Sequence, residues 1–263
     1  MADAHGKHVW FEICTPDLDA AKAFYSQVLD WEIRDAGMPG MTYLMGGPPG
    51  HAVAGMMAMT PEMVQGGAVP AWTGYVAVHD VDADAERAKA LGGTVCMPPT
   101  DIPGVGRFAV VADPQGAVFA LFQGTPGEEP PPPPAPGTPG QIGWHELHTG
   151  ELNAALGFYQ ALFGWRKEET LDMGPNGPYQ LFGTSAMAQG ADGGMANLVP
   201  PGPQPYWLYY VNVADVDRAL ARTTAGGGQV LHGPHQVPGG GWILLARDPQ
   251  GIVFAVVGPR GSA

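Results

Sequence analysis

Two stretches of this chain place chemically versatile side chains two residues apart. One holds His8, Trp10, Glu12 and Cys14, the other Trp144, Glu146 and His148. On a β-strand, alternate residues share a face. With Trp10 and its neighbours on one face, Val9, Phe11 and Ile13 turn to a hydrophobic interior. A carboxylate among apolar and aromatic neighbours can act as general acid or base, with tyrosine as proton donor. The same carboxylate can be structural, bonded to backbone or to a phenol. Glu12 and Glu146 are the candidates for either role, and Trp10 and Trp144 can stack on a planar ligand or fill space. Two HxxH pairs, His145/His148 and His232/His235, look like metal motifs. Strand residues three apart face opposite sides, however, so His145 and His148 are not expected to chelate together, and the second pair flanks Gly233-Pro234, so surface or turn roles are expected for it.

These residues recur because the chain repeats itself. Trp10-Phe11-Glu12 matches Trp144-His145-Glu146, Phe24-Tyr25 matches Phe158-Tyr159, and Trp31 matches Trp165, all 134 residues apart. One residue further out of register, Trp72 matches Trp207 and Asp80-Val81-Asp82 matches Asp215-Val216-Asp217. In the same register Asp113-Pro114-Gln115-Gly116 matches Asp248-Pro249-Gln250-Gly251. Such a register marks an internal duplication. Between the copies lies Gly124–Gly140, whose Pro130–Pro134 run predicts an extended spacer. The expected domains are therefore 8–123 and 141–258, joined by a linker over 124–140.

Within each copy the pattern predicts two βαβββ units. Val9–Cys14 reads as a strand, Asp17 as an N-cap and Leu18–Val28 as a helix. Short strands follow near Trp31–Arg34, Thr42–Met45 and Ala52–Met59. The next unit runs Trp72–Val78, a helix Ala83–Leu91 with Asp82 as its cap and Gly92-Gly93 as its end, then strands at Thr94–Met97, Phe108–Ala112 and Ala117–Phe122. The fold class expected is α+β, with four such units forming two mixed sheets flanked by helices.

Composition narrows the function. The formal net charge is −13, and the four lysines, Lys7, Lys22, Lys89 and Lys167, form no run. A nucleic-acid or anionic-membrane partner is not expected, since neutralising phosphate needs clustered basic residues. Cys14 and Cys96 form no CxxC pair or disulfide framework, which fits a reducing, cytoplasmic setting. The polar Met1–Lys7 segment is not expected to act as a signal peptide, and no apolar run approaches a membrane span.

The βαβββ unit resembles the vicinal oxygen chelate superfamily of glyoxalases, bleomycin-resistance proteins and extradiol dioxygenases. The resemblance rests on Pro16-Asp17-Leu18…Ala23-Phe24-Tyr25, Val78-His79-Asp80-Val81-Asp82-Ala83, and Gly106-Arg107-Phe108…Asp113-Pro114-Gln115-Gly116 with Phe119, repeated in the second half. It implies that paired units curl each sheet into an open trough, where enzymatic members hold a divalent metal. Counting from the motifs, the first-strand ligand position falls on Trp10 and Trp144, and the fifth-strand position on Thr73 and Leu208. The eighth-strand position falls on Ala120 and Ala255, and the fourth-strand position near Met56 and Met195. None of these suits a hard or borderline cation, so no cofactor is expected, with a divalent metal kept as the alternative.

The resemblance further implies a trough lined by His8, Trp10, Glu12 and Cys14, by Trp144, Glu146 and His148, and by the fifth-strand residues Thr73, Tyr75, Leu208, Tyr210 and Asn212. Expected catalytic groups are Glu12, Glu146, Tyr75 and Tyr210. Expected ligand contacts are His8, Trp10, Thr73, Trp144, His148 and Asn212. Three functions stay open: a lyase, isomerase or ring-modifying enzyme for a small organic molecule, a non-catalytic binding or resistance protein, and a metal-dependent glyoxalase-type lyase. With four units in one chain, a monomer suffices, and a homodimer is the other expectation.

Overall fold

The computed structural model describes residues 4–125, 127, 134–184, 190–197 and 204–261. Pro130–Pro133 of the expected linker lie outside them. The first unit is β1 (His8–Thr15), α1 (Leu18–Val28), β2 (Glu32–Asp35), β3 (Tyr43–Gly47) and β4 (Ala54–Ala58). A short α2 (Pro61–Gln65) precedes the second unit: β5 (Ala71–Ala77), α3 (Val81–Ala90), β6 (Thr94–Ile102), β7 (Gly106–Ala112) and β8 (Val118–Gly124). The second copy follows the same order, with β9 (Ile142–Thr149), α4 (Leu152–Phe163), β10 (Arg166–Asp172), β11 (Pro178–Gly183) and β12 (Gly193–Asn197). It ends with β13 (Tyr206–Asn212), α5 (Val216–Ala225), β14 (Gln229–Gln236), β15 (Trp242–Arg247) and β16 (Val253–Gly258).

Local chemistry explains these boundaries. Asp17 is extended and accepts from Ala20 N at 3.0 Å, satisfying an orphan amide of α1. The helix buries Ala21, Phe24, Tyr25 and Val28, one stripe at helical spacing. In α3 the cap is Asp80, two residues before the Asp82 that the sequence suggested. Asp80 accepts from Ala83 N at 3.0 Å, whereas Asp82 lies in the first turn and binds Arg107 Nε at 2.7 Å. Both aspartates suit a helix start, but only Asp80 has the extended backbone a cap needs. Asp215 resolves the same choice in α5.

Each copy forms one eight-stranded mixed sheet, in the orders β2-β3-β4-β1-β5-β8-β7-β6 and β10-β11-β12-β9-β13-β16-β15-β14. β1 runs parallel to β4 and β5 to β8, while the outer strands pair antiparallel. Neither sheet closes. No helix among the described residues is long and apolar enough to cross a membrane.

Compactness cuts across the duplication. One unit takes the chain through Val9, then Thr73 to the end of β8, and Trp144–Trp207; the other takes Trp10–Trp72, the segment before β9, and Leu208 onward. Each compact unit thus draws on both copies, and the Asp-Pro-Gln-Gly turns hold it together. In the first, Asp113 accepts from Gln115 N and Ala117 N, both at 2.9 Å, and from the Tyr159 hydroxyl of α4 at 3.1 Å. Gln115 adds a two-way clamp on Glu151 at the start of α4: its Nε2 donates to the Glu151 carbonyl at 2.9 Å, and its Oε1 accepts from Glu151 N at 2.6 Å.

The second unit repeats this with Asp248, which accepts from Gln250 N, Ile252 N and the Tyr25 hydroxyl, while Gln250 clamps Asp17. Trp165 Nε1 donates to Gly6 O in the first unit and Trp31 Nε1 to Gly140 O in the second, both at 2.8 Å. Asp248 is 3 % exposed. Burial raises its carboxyl pKa, and its amide and phenol donors oppose that rise. Tyr25→Phe should therefore leave a buried carboxylate oxygen short of a donor and cost about 1–3 kcal/mol, read as a lower urea midpoint at unchanged slope.

His8 is placed in an aromatic cluster of the first unit, stacked on His145 at 4.2 Å between centroids and near Trp165 and Trp207. Burial depresses both imidazole pKa values, His8 well below the ordinary 6.5. Both rings are thus neutral in the fold while the unfolded chain takes up protons below pH about 6.5. Stability should be full above that pH and fall as pH drops beneath it. Urea titrations at pH 7.5 and 5.5 should show the fall, and His8→Phe should reduce it.

Candidate functional site

The β1 alternation holds from Trp10 onward. Phe11, Ile13 and Thr15 are buried, while Trp10, Glu12 and Cys14 are half-buried on the other face. Val9 departs from it at 41 % exposure, since the strand has only begun there. Glu12 pairs with Gly55 of β4 in the parallel register. A Cβ on Gly55 would lie 1.9 Å from the Tyr43 hydroxyl oxygen. Only glycine therefore lets the Tyr43 phenol, from β3, cross β4 to the carboxylate. Tyr43 OH donates to Glu12 Oε2 at 2.9 Å, and Trp10 Nε1 donates to the Tyr43 oxygen at 3.0 Å. The Cys14 thiol lies 3.9 Å from Glu12 Oε1. Burial, then the Glu12 charge, pushes that thiol up to about 12, and the same causes raise the Tyr43 phenol.

The second copy rebuilds this group. Glu146 pairs with Gly194 of β12, where a Cβ would lie 2.2 Å from the Tyr179 ring. Tyr179 OH donates to Glu146 Oε2 at 2.6 Å, and Trp144 Nε1 donates to Tyr179 at 2.9 Å. Burial followed by Glu146 raises the Tyr179 phenol strongly. Beside Glu146 Oε1 stands His148, its Nε2 at 2.7 Å. Tyr206 of β13 stacks on His148 at 4.7 Å and 8°, its phenol raised to about 12 by burial and then by Glu146.

Tyr43, Tyr179, Gly55, Gly194 and Tyr206 were not picked out from the sequence. Their role depends on a glycine facing a carboxylate across paired strands, with tyrosine on the next strand, and those pairings are set by the fold. Tyr75 is buried against Phe108 and Phe122, and Tyr210 is buried in register with Ala255. Thr73 is half-buried, and the Asn212 side chain packs on Gly143. His145 bonds the Asp192 carbonyl, on the opposite face from His148 as strand parity requires. Trp72 and Trp207 are core residues.

The family's metal positions offer a poor donor set. Met56 and Met195 are fully buried, in register with the core residues Ile13 and Leu147. They face the interior, so the fourth-strand positions that share a face with the carboxylates are Gly55 and Met57, and Gly194 and Ala196. Trp10, Trp144, Leu208, Ala120 and Ala255 offer no lone pair that suits a cation. Among the described residues no three His, Cys, Asp or Glu side chains are grouped to hold a metal ion. The residues present do not fit a family-type metal.

Comparison with known proteins bears on this geometry. The model of the Glyoxalase/Bleomycin resistance protein/Dioxygenase superfamily matches residues 7–121 and again 141–256. The chain belongs to that superfamily. As a tandem member, it is 33 % identical over 252 residues to "Putative glyoxylase CFP32" of Mycobacterium bovis, covering 95 % of this chain and 94 % of the relative. It is 34 % identical over 265 residues to the anthracycline biosynthesis protein DnrV of Streptomyces peucetius, covering 97 % and 94 %. Among solved structures, the Mn(II)-bound glyoxalase of Novosphingobium aromaticivorans shares the superfamily fold at a TM-score of 0.64 and 18 % identity, over 98 % of this chain and 83 % of that one.

The glycine–tyrosine arrangement of this superfamily member is testable. Gly194→Ala should displace Tyr179 and cost about 1–3 kcal/mol. Because one clash causes the loss, Gly194→Ala with Tyr179→Ala should cost less than the sum of the single variants in thermal unfolding.

Proposed function

We propose that this protein binds a small planar organic molecule on the sheet faces carrying Glu12 and Glu146, and moves a proton there without the superfamily's metal. The observation that carries the reading is the Trp–Tyr–Glu chain, present in both copies and begun by the tryptophan at the counted first-strand position. Its aromatic groups offer a planar ligand apolar surface with polar edges. The carboxylates supply an acceptor that needs no metal to act on a proton. The relative named for anthracycline biosynthesis supports a polycyclic, oxygen-rich ligand class, and the one named as a glyoxylase supports carbonyl chemistry.

Metal analysis of the purified protein should find only substoichiometric zinc, nickel, iron or manganese. One tightly bound ion per chain would replace this reading with a metal-dependent lyase. An anthracycline, followed by its own fluorescence, should bind with an affinity that Trp144→Ala weakens roughly ten-fold or more, a loss of about 1.4 kcal/mol. Binding with no turnover of any carbonyl substrate would leave a sequestering protein, and failure to bind any planar probe would remove the proposal.

A further inference from the structure

The two carboxylate groups are equivalent in position but not in chemistry. Beside Glu12 Oε1 lies the Cys14 thiol, which burial keeps protonated at neutral pH. Beside Glu146 Oε1 lies the His148 imidazole. At 2.7 Å the carboxylate charge favours a proton on Nε2 over a lone pair there, which leaves the lone pair on Nδ1. The oxygen sits off the Nε2–H direction, so the contact is electrostatic, and catalytic pairs commonly align only once substrate is bound. His148 Nδ1 has no hydrogen-bond partner among the described residues, and the side chain keeps 22 % exposure. Tyr206 fixes the ring plane from one side, whereas the equivalent residue in the first copy is Ala71.

We infer that His148 is the proton-transferring group of the second copy, positioned by Glu146 and Tyr206, and that its substrate class is a planar carbon acid such as an aryl-fused ketone. The first copy holds the same carboxylate with a protonated thiol in place of the imidazole. This rests on the small-molecule reading above. In the step, the C–H bond next to the carbonyl breaks and its electron pair enters the enolate. The proton goes to Nδ1, the Glu146 carboxylate stabilises the imidazolium, and return of the proton to the same or a conjugated carbon completes exchange or isomerisation. No oxidant or further reactant is needed.

The probe is 2-tetralone in D2O, with loss of its α-hydrogens followed by NMR. The wild-type chain should exchange them above the buffer rate. His148→Gln should lose roughly 100-fold or more. Glu146→Gln should lower kcat with KM nearly unchanged. Exchange by His148→Gln at the wild-type rate, or bound 2-tetralone with no exchange above buffer, overturns the assignment. If 2-tetralone does not bind, the small-molecule reading fails for this probe and a ligand-free measurement decides on His148. Diethyl pyrocarbonate should carbethoxylate His148 faster than the exposed His232 and His235, and more slowly in Glu146→Gln. Equal rates overturn the inference.

Discussion

A buried aspartate gripped by two amides and a distant phenol holds each compact unit of this protein together. Asp113 receives Tyr159, and Asp248 receives Tyr25. Left alone, an ionised carboxylate in such a place would be costly, so the donors have to be supplied by the surrounding fold. The two backbone amides come from the aspartate's own turn and the phenol from a helix of the other copy. The glutamine of the same motif clamps the residue that starts that helix. Four residues that look like a turn signature in the sequence therefore decide which helix packs on which sheet half. The strands bearing Glu12 and Glu146 lead directly into α1 and α4, so the same clamps set their exits.

The site follows a second steric rule. A glycine on the strand beside each carboxylate opens a path, and a tyrosine one strand further out uses it. The result is a hydrogen-bonded chain from tryptophan through tyrosine to carboxylate in each copy. Such a chain holds the carboxylate in one orientation and surrounds it with proton donors. The duplicated chain varies what stands at the other carboxylate oxygen. It carries a thiol in one copy and an imidazole stacked on a phenol in the other.

Much of this was legible in the sequence. The internal register yielded the two copies, the four βαβββ units and the helix α1 to the residue, because capping and apolar spacing act over a few positions. Strand parity placed Glu12, Cys14, Glu146 and His148 with their tryptophans. What could not be read was which residues lie opposite one another across strands. Met56 looked like a site position by counting, yet its register partner Ile13 shows that it faces the core. Tyr43 and Tyr179 were invisible for the same reason, since their role depends on two strand pairings and on the missing side chain of a glycine. Asp82 and Asp80 were indistinguishable as caps until the backbone conformation separated them.

Because each compact unit is completed by segments from both copies, the connection between the copies acts through mass action. As one chain, each copy meets its complement at the effective concentration of a tethered partner. Severed between residues 124 and 140, the same surfaces would have to find each other from dilute solution. Stability would then depend on protein concentration, as it does for an obligate dimer. Two intact chains also carry everything needed to exchange copies with one another, with every Asp–Tyr and Gln–backbone bond conserved.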